Sequence, residues 1–179
     1  MKKKKIVITG GPGTGKSSIV HQLENNGQTC LHEISREVIR EAQLHGIEQL
    51  FLEDPLLFSR KLLEGRISQF HEAEDFPVNH IFIDRGIPDV LAYMDYFDTR
   101  YAEEFIAPCE NYRYDFIFIL PPWKSIYKSD NERYESFDEA SRISEYLETT
   151  YKIYGYQPVI VPEASVEERT NFILNKLEN

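Results

Sequence analysis

Residues 10–17 read Gly10-Gly11-Pro12-Gly13-Thr14-Gly15-Lys16-Ser17, a full G-x-x-x-x-G-K-S phosphate-binding pattern, followed by Ser18. A glycine-rich backbone can turn successive N–H groups inward as an anion nest. The helix expected to start near Lys16 adds the positive end of its dipole. Lys16 is expected to reach the β- and γ-phosphates of ATP, and the Ser17 hydroxyl to ligate Mg²⁺. Gly10 through Ser18 are therefore the candidate ATP-binding residues. The motif needs a strand before it and a helix after it. Ile6, Val7, Ile8 and Thr9 precede it, and Ile19, Val20 and Leu23 follow at helical spacing.

Other residues could complete a phosphate-handling site. Ile81-Phe82-Ile83-Asp84 is an apolar run ending in an acid, the form in which phosphate-loop enzymes hold Mg²⁺ directly or through water. Asp84 could instead cap a turn before Gly86. Arg85 could hold a transferring phosphoryl group, or form a structural pair with Asp89 or Glu33. Glu33 could take the proton of an attacking hydroxyl as general base. It could also pair with Arg36 or Arg85 and only shape the pocket. Residues 123–137 are polar and charged without an apolar period, a length that suggests a functional lid. The stretch carries Lys124, Lys128 and Arg133, and Arg142 follows one turn into the next helix. Arginine forks clamp phosphates and can complete a site on closure. The interspersed Asp130, Glu132 and Glu135 suit a solvated loop equally well.

Arg169 lies on the apolar side of the last helical pattern with Val166 and Ile173, and is expected to snorkel to solvent rather than approach a nucleotide base. Phe51, Phe58, Tyr93, Tyr96 and Phe97 stand at helical spacing and read as core before they read as a pocket wall. The five histidines have no paired metal-ligand spacing and receive no role.

These groups lie far apart in the chain, so the fold must gather them. Short apolar runs alternate with helical patterns, which predicts an α/β fold with a parallel sheet. Strands are expected at Lys5–Thr9, Thr29–His32, His80–Ile83, Tyr114–Leu120 and Val159–Val161. A helix follows the loop and stops at Asn25-Asn26-Gly27, and a second spans Ser35–His45. A third starts at an Asp54 cap with Pro55 and buries Leu56, Leu63, Ile67 and Phe70 as far as about Glu74. Pro88 opens one carrying Val90, Leu91, Tyr93, Met94 and Phe97, and another spans Arg100–Glu110. Asp138 is expected to cap a helix burying Ile143, Tyr146, Leu147, Thr150, Tyr151 and Tyr154, with Gly155 as its stop. A Ser165–Glu168 capping box opens the last, with Ile173 and Leu177 inward. Parallel sheets bind ligands at the carboxyl ends of their strands. The phosphate loop, Glu33, Asp84-Arg85 and Pro121-Pro122 end the first four strands in turn.

Bulk properties narrow the class. The 179 residues suit one domain, without repeats or a linker. Cys30 and Cys109 are too few for a disulfide framework or zinc site, and read as buried thiols in a reducing cytoplasm. The basic stretch Met1–Lys5 precedes too short an apolar run for a leader, and Phe116–Leu120 is far below a bilayer span. A cytoplasmic protein is expected. The net charge of −10 disfavours nucleic-acid partners but leaves room for a small anion in a local basic cleft.

Several stretches resemble a known family. They are the loop, Glu33 with Ser35-Arg36, the run Asp84-Arg85-Gly86-Ile87-Pro88-Asp89, and Arg133 through Arg142 to Tyr154-Gly155-Tyr156. Together they resemble the AAA-like predicted ATPases related to the nicotinamide riboside kinase domain and, more distantly, the deoxynucleoside and nucleoside monophosphate kinases. The resemblance covers nearly the whole chain. It implies a P-loop kinase-like three-layer sandwich: a five-stranded parallel sheet in order 2-3-1-4-5, helices on both faces and a mobile lid. It implies that Glu33 matches the acid after strand two, often the base in deoxynucleoside kinases. Asp84-Arg85 would match an acid–arginine pair that handles metal and steadies phosphates, and Arg133 and Arg142 would match lid arginines. Asp84 stands where deoxynucleoside kinases usually carry Glu, and their base-reading residues have no counterpart in this sequence.

The expected function is transfer of the γ-phosphate of ATP–Mg²⁺ to a small acceptor: a nucleoside, a nucleotide or a related metabolite. The alternative is a nucleotide-binding regulatory ATPase acting through a protein partner. A translation-type GTPase is not expected, because Asn175-Lys176 is followed by Leu177-Glu178 rather than by the guanine-reading Asp pattern. A hexameric motor is not expected either, because the 179 residues are too few for the second helical domain such motors carry.

Overall fold

The computed structural model describes residues 3–127 and 136–178. The expected lid residues Lys128 and Arg133 lie outside that set. Five strands are present: β1 (Lys4–Gly10), β2 (Thr29–Leu31), β3 (His80–Asp84), β4 (Phe116–Leu120) and β5 (Val159–Ile160). The helices are α1 (Lys16–Asn25), α2 (Ser35–Leu44), α3 (Leu50–Glu53), α4 (Pro55–Glu72), α5 (Ile87–Tyr96), α6 (Glu103–Asn111), α7 (Phe137–Ile153) and α8 (Val166–Glu178). The strands pair in the order β2-β3-β1-β4-β5, and every pairing is parallel.

Side-chain alternation along the strands builds two cores on opposite faces of the sheet. Ile6, Ile8, Phe82 and Phe118 point to the face covered by α1 and α8, where they meet Ile19, Leu23, Ile173 and Leu177. Val7, Ile81, Ile83, Ile117 and Ile119 point to the other face, covered by Leu63 of α4, Leu91 of α5, Phe105 of α6 and Tyr151 of α7. The result is the three-layer sandwich. A third, smaller cluster of Val38, Ala42 and Leu50 joins α2 and α3 to α4 at the β2 edge.

Strand register lines up the functional ends. Ile8 pairs with Asp84, and Leu31 pairs with Ile83. Counting two residues past Leu31 and Ile83 brings Glu33 level with Arg85, while the phosphate loop leaves β1 two residues past Ile8. Three polar termini thus converge on one edge, as the strand ends predict.

Helix starts follow local chemistry. The Asp54 carboxylate accepts from Leu57 N–H at 2.9 Å with Pro55 at the first helical position. Ser165 and Glu168 form the expected capping box on α8. The α7 cap is Ser136 rather than Asp138: its hydroxyl accepts from Glu139 N–H, and the Glu139 carboxylate accepts from Ser136 N–H at 2.7 Å. A Ser with Glu three residues on outcompetes the Asp two positions later because both orphan donors are met. The end of the expected lid is therefore already the start of a helix.

Some expected core positions lie outside. Leu56 and Phe97 are exposed. On α4 the inward stripe runs through Leu63, Arg66 and Gln69, with Leu62, Ile67 and Phe70 packed beside it. Leu56 precedes that stripe. Phe97 falls one residue past α5 and lies edge-on to Tyr96. Cys30 is only half-buried, while Cys109 is fully buried; burial pushes both thiols up to about 12, so neither is a ready thiolate. No helix among the described residues is long and apolar enough to cross a membrane.

Gly86 marks a tight crossing beneath the site. A Cβ there would lie 2.5 Å from the Tyr151 hydroxyl and 3.1 Å from both Val7 and Tyr114. Gly86→Ala is expected to keep the fold but lower stability by about 1–3 kcal/mol through overpacking. In a thermal melt followed by circular dichroism this is a fall in Tm of roughly 3–10 °C.

Candidate active site

The phosphate loop is shaped before any side chain is considered. Gly13 and Gly15 take left-handed backbone angles, with φ of 72° and 81°, and Gly15 is the N-cap of α1. The Thr14 hydroxyl donates to the Gly11 carbonyl at 3.0 Å and braces the loop internally. A Cβ on Gly11 would come within 2.9 Å of the Ala140 carbonyl, so the first turns of α7 sit directly against the loop. Ser17 and Ser18 are exposed on the first turn of α1, and Pro12 is half-buried.

Behind the loop lies a compact network of charged side chains. Lys16 pairs with Asp84. Glu33 Oε2 accepts from Arg85 Nε at 2.6 Å, and Glu33 Oε1 lies 3.5 Å from Arg66 Nη2. Arg85 Nη1 reaches Asp89 at 3.3 Å. Three cations (Lys16, Arg66 and Arg85) thus meet three carboxylates (Glu33, Asp84 and Asp89). Glu33 also accepts from the N–H groups of Ile34 and Ser35 at 3.0 and 3.1 Å. The Arg85 and Glu33 readings are therefore both partly structural. The pairing runs between Glu33 and Arg85, and Arg66 stands where Arg36 was the other option.

The sequence reading passed over Arg66 and named Asp89 only as a possible partner of Arg85, a pairing that is present. Arg66 is buried on the inner face of α4 and donates to the Gly86 carbonyl at 3.0 Å. Asp89 is 0% exposed. Its carboxylate accepts from Thr9 of β1, from Gly86 N–H at 3.0 Å and from the Tyr151 hydroxyl at 2.5 Å. The signal for Arg66 was a charge inside an apolar stripe. The signal for Asp89 was its position three residues after Gly86, where an acid caps the start of a helix.

Arg85 carries the site's backbone strain. Its φ of 71° is left-handed in a residue with a Cβ, a conformation that costs about 1–2 kcal/mol. Arg85 N–H donates to the Ile8 carbonyl at 3.0 Å, the two carboxylates hold the guanidinium, and the ring of Tyr93 lies 5.2 Å beneath it. Such strain concentrates at functional sites. Tyr96, one turn further along α5, carries Arg142 in the same way at 5.6 Å. Arg142 is exposed and stands one turn away from the charged network rather than within it.

Burial would raise the Glu33 carboxyl, but the positive charges of Arg66, Arg85 and Lys16 overcome it and hold the group down at about 2. Burial, reinforced by repulsion from Arg85, lowers Lys16, and Asp84 opposes the shift.

Mg²⁺ would be held by oxygen donors. Ser17 on α1 and the nearly buried Asp84 at the end of β3 supply two, and no group of three metal-binding side chains occurs among the described residues. A Mg²⁺ ion there would take its remaining ligands from water and phosphate oxygens.

Beyond Glu33 a cleft of about 900 Å³ opens between α2 and α4, reaching from Leu31 to Leu44 on one wall and from Lys61 to Glu72 on the other. Its volume falls in the range of small-molecule sites, roughly 300–1,000 Å³. Arg169 is not at the surface. It is buried and donates to the Thr14 carbonyl at 2.8 Å. The expected snorkel fails because Arg169 turns inward from α8 onto the loop, while Val166, Glu167 and Glu168 before it face water.

A sequence profile described as an AAA domain matches residues 5–169. The chain belongs to this AAA-domain family. No curated protein sequence matches it. Among solved structures it is similar to deoxyadenosine kinase from M. mycoides, with a TM-score of 0.68 at 20% identity over 97% of this chain and 98% of that one. It is also similar to NadR protein in complex with NR, with a TM-score of 0.70 at 18% identity; the match spans 98% of this chain but only 50% of NadR. Thymidylate kinase from Candida albicans gives 0.68 at 16% identity, over 99% and 92% of the two chains. At these identities the shared feature is the P-loop kinase fold, with the expected sheet order.

The low Glu33 value has a measurable consequence. A carboxylate depressed in the folded state adds stability that is complete above its unfolded value near 4.5 and is lost as pH falls toward about 2. The gap in urea unfolding free energy between the native protein and Glu33→Gln is therefore expected to be constant from neutral pH to about pH 5 and to shrink steadily below it. A gap that stays flat down to about pH 3 would contradict the assigned pairing.

Proposed function

We propose that this protein is an ATP-dependent kinase that phosphorylates a hydroxyl group on a small nucleoside-like acceptor. The observation carrying this reading is the double position of Glu33. Its carboxylate pairs with Arg85 beside Lys16 and also lines the inner end of the α2–α4 cleft. An acceptor in the cleft brings its reacting atom against an ionised carboxylate. A hydroxyl meets that carboxylate as a hydrogen-bond donor. A phosphate oxygen, as in a nucleotide acceptor, meets it as a like charge. The remaining walls favour the hydroxyl further: Glu37, Glu41, Glu64 and Glu72 outnumber Arg40 and Lys61. The fold shared with deoxyadenosine kinase and with NadR, which was solved in complex with NR, supports the same class.

This reading gives each residue a role that the geometry supports. The loop amides and Lys16 take the triphosphate, with Lys16 exchanging Asp84 for phosphate oxygens. Ser17 and Asp84 would hold Mg²⁺, which would supply charge neutralisation to the phosphates. Arg85, fixed by Glu33 and Asp89, presents its guanidinium to the transferring group. Glu33 is too weak a base to remove the hydroxyl proton in advance. It orients the hydroxyl and receives the proton as the new bond to phosphorus forms, which suits a loose transition state. Arg142, in the second turn of α7, is the arginine this reading assigns to the phosphates from the α7 side, and Arg133 lies outside the described residues.

The deciding assay incubates the protein with γ-labelled ATP, Mg²⁺ and matched pools of nucleosides and nucleoside monophosphates. Label on a nucleoside, lost with Lys16→Ala and reduced about 10²–10⁴-fold in kcat with Glu33→Gln, is the expected result. Label only in free phosphate would point instead to a regulatory ATPase. The cleft has its own check. Ser68 is exposed on its α4 wall, so Ser68→Trp should raise the acceptor KM by at least about tenfold while leaving the ATP Kd unchanged, because filling the cleft removes acceptor binding alone.

A further inference from the structure

Among the described residues Arg169 is a buried cation without an ion-pair partner. It is 3% exposed, and among the described residues no carboxylate lies within ion-pair distance of its guanidinium. Burial accordingly lowers its proton affinity, and no opposing charge restores it. Its Nη2 donates to the Thr14 carbonyl at 2.8 Å, while its buried Nε has no hydrogen-bond partner. Nη1 lies 3.0 Å from the point where a Cβ on Gly15 would stand. A buried charge this poorly compensated is costly. A domain that retains one beside its phosphate loop has a physical reason to do so if a ligand supplies the missing charge.

The peptide geometry connects the guanidinium to that ligand. Thr14 and Gly15 share one trans peptide, as no peptide bond among the described residues is cis. In a planar trans peptide the C=O and the N–H point in opposite directions. Arg169 grips the carbonyl from the α8 side, so the Gly15 N–H is turned away from α8 and into the hollow of the loop. A charged donor on the carbonyl also polarises the amide, which makes the N–H at the other end a stronger donor.

We propose that Arg169 is a positioning residue of the phosphate site: it fixes the Thr14–Gly15 peptide so that the Gly15 amide faces the polyphosphate, and lends that amide its charge. This rests on the reading of residues 10–18 as a nucleotide site. It assigns Arg169 to the phosphates rather than to the base, and gives the first turn of α8 a part in nucleotide affinity.

The test separates phosphate from base by using two probes, ATP and inorganic tripolyphosphate, titrated calorimetrically with Mg²⁺ into the full chain and into Arg169→Met. The expected result is a loss of about tenfold in affinity for both probes, the scale of one charge-assisted hydrogen bond, with partial recovery in Arg169→Lys. A loss for ATP with tripolyphosphate unaffected would mean that Arg169 serves the base, and would overturn the proposal. Unchanged affinity for both probes, with only a lowered Tm, would mean a packing role and overturn it equally. If Arg169→Met does not fold, Arg169→Gln removes the charge while keeping a polar side chain and gives the same comparison. Failure of the unmodified protein to bind either probe would remove the nucleotide site itself, a different outcome from any effect of the variants.

Discussion

One buried carboxylate ties this site together. Asp89 gathers donors from β1, from the start of α5, from α7 and from Arg85. Each is buried or nearly so, and each would be left unsatisfied without it. The strand that delivers the phosphate loop, the helix that follows Arg85 and the helix that abuts the loop therefore share one anchor. The strained backbone of Arg85 is tolerable in that setting because Asp89, Glu33 and the Ile8 carbonyl all hold the residue in place.

The charged network around Glu33 obeys the same economy. Its cations and carboxylates balance, so no member is left as an isolated buried charge. The balance also fixes chemistry. Glu33 is held ionised by its neighbours, which makes it a good hydrogen-bond acceptor and a poor proton scavenger. Under the proposed function, the pairing and the preference for a hydroxyl acceptor are two consequences of one electrostatic arrangement.

Much of this was legible in the sequence, for reasons that differ by residue. The loop could be read because backbone chemistry dictates its glycines, its lysine and its flanking periodicities, all within about twenty positions. Asp84 and Glu33 could be read because strand ends in a parallel sheet point to one edge. Arg66, Asp89 and Arg169 could not be assigned by periodicity, since each is a charge on a face that periodicity marks as apolar. Their partners are a glycine carbonyl, a threonine and a loop carbonyl distant in sequence. Leu56 and Phe97 failed in the opposite sense: both are apolar, yet each sits just outside the stretch of helix that meets the core. The Ser136 cap was hidden because Ser136 lies in a polar stretch where Asp138 competed for the same role.

The small cluster of Val38, Ala42 and Leu50 stands apart from the two cores that clasp the sheet. It supports α2 and α4, the walls of the cleft, whereas the phosphate loop and Arg85 rest on the central strands. Changes on the α2 wall can therefore reshape the cleft without touching the central strands, whereas α4 also carries Leu63 of the sheet core and Arg66 of the charged network. Selection can retune what enters one half of the molecule while the other half drifts little, and a single architecture can diversify its substrates over evolutionary time.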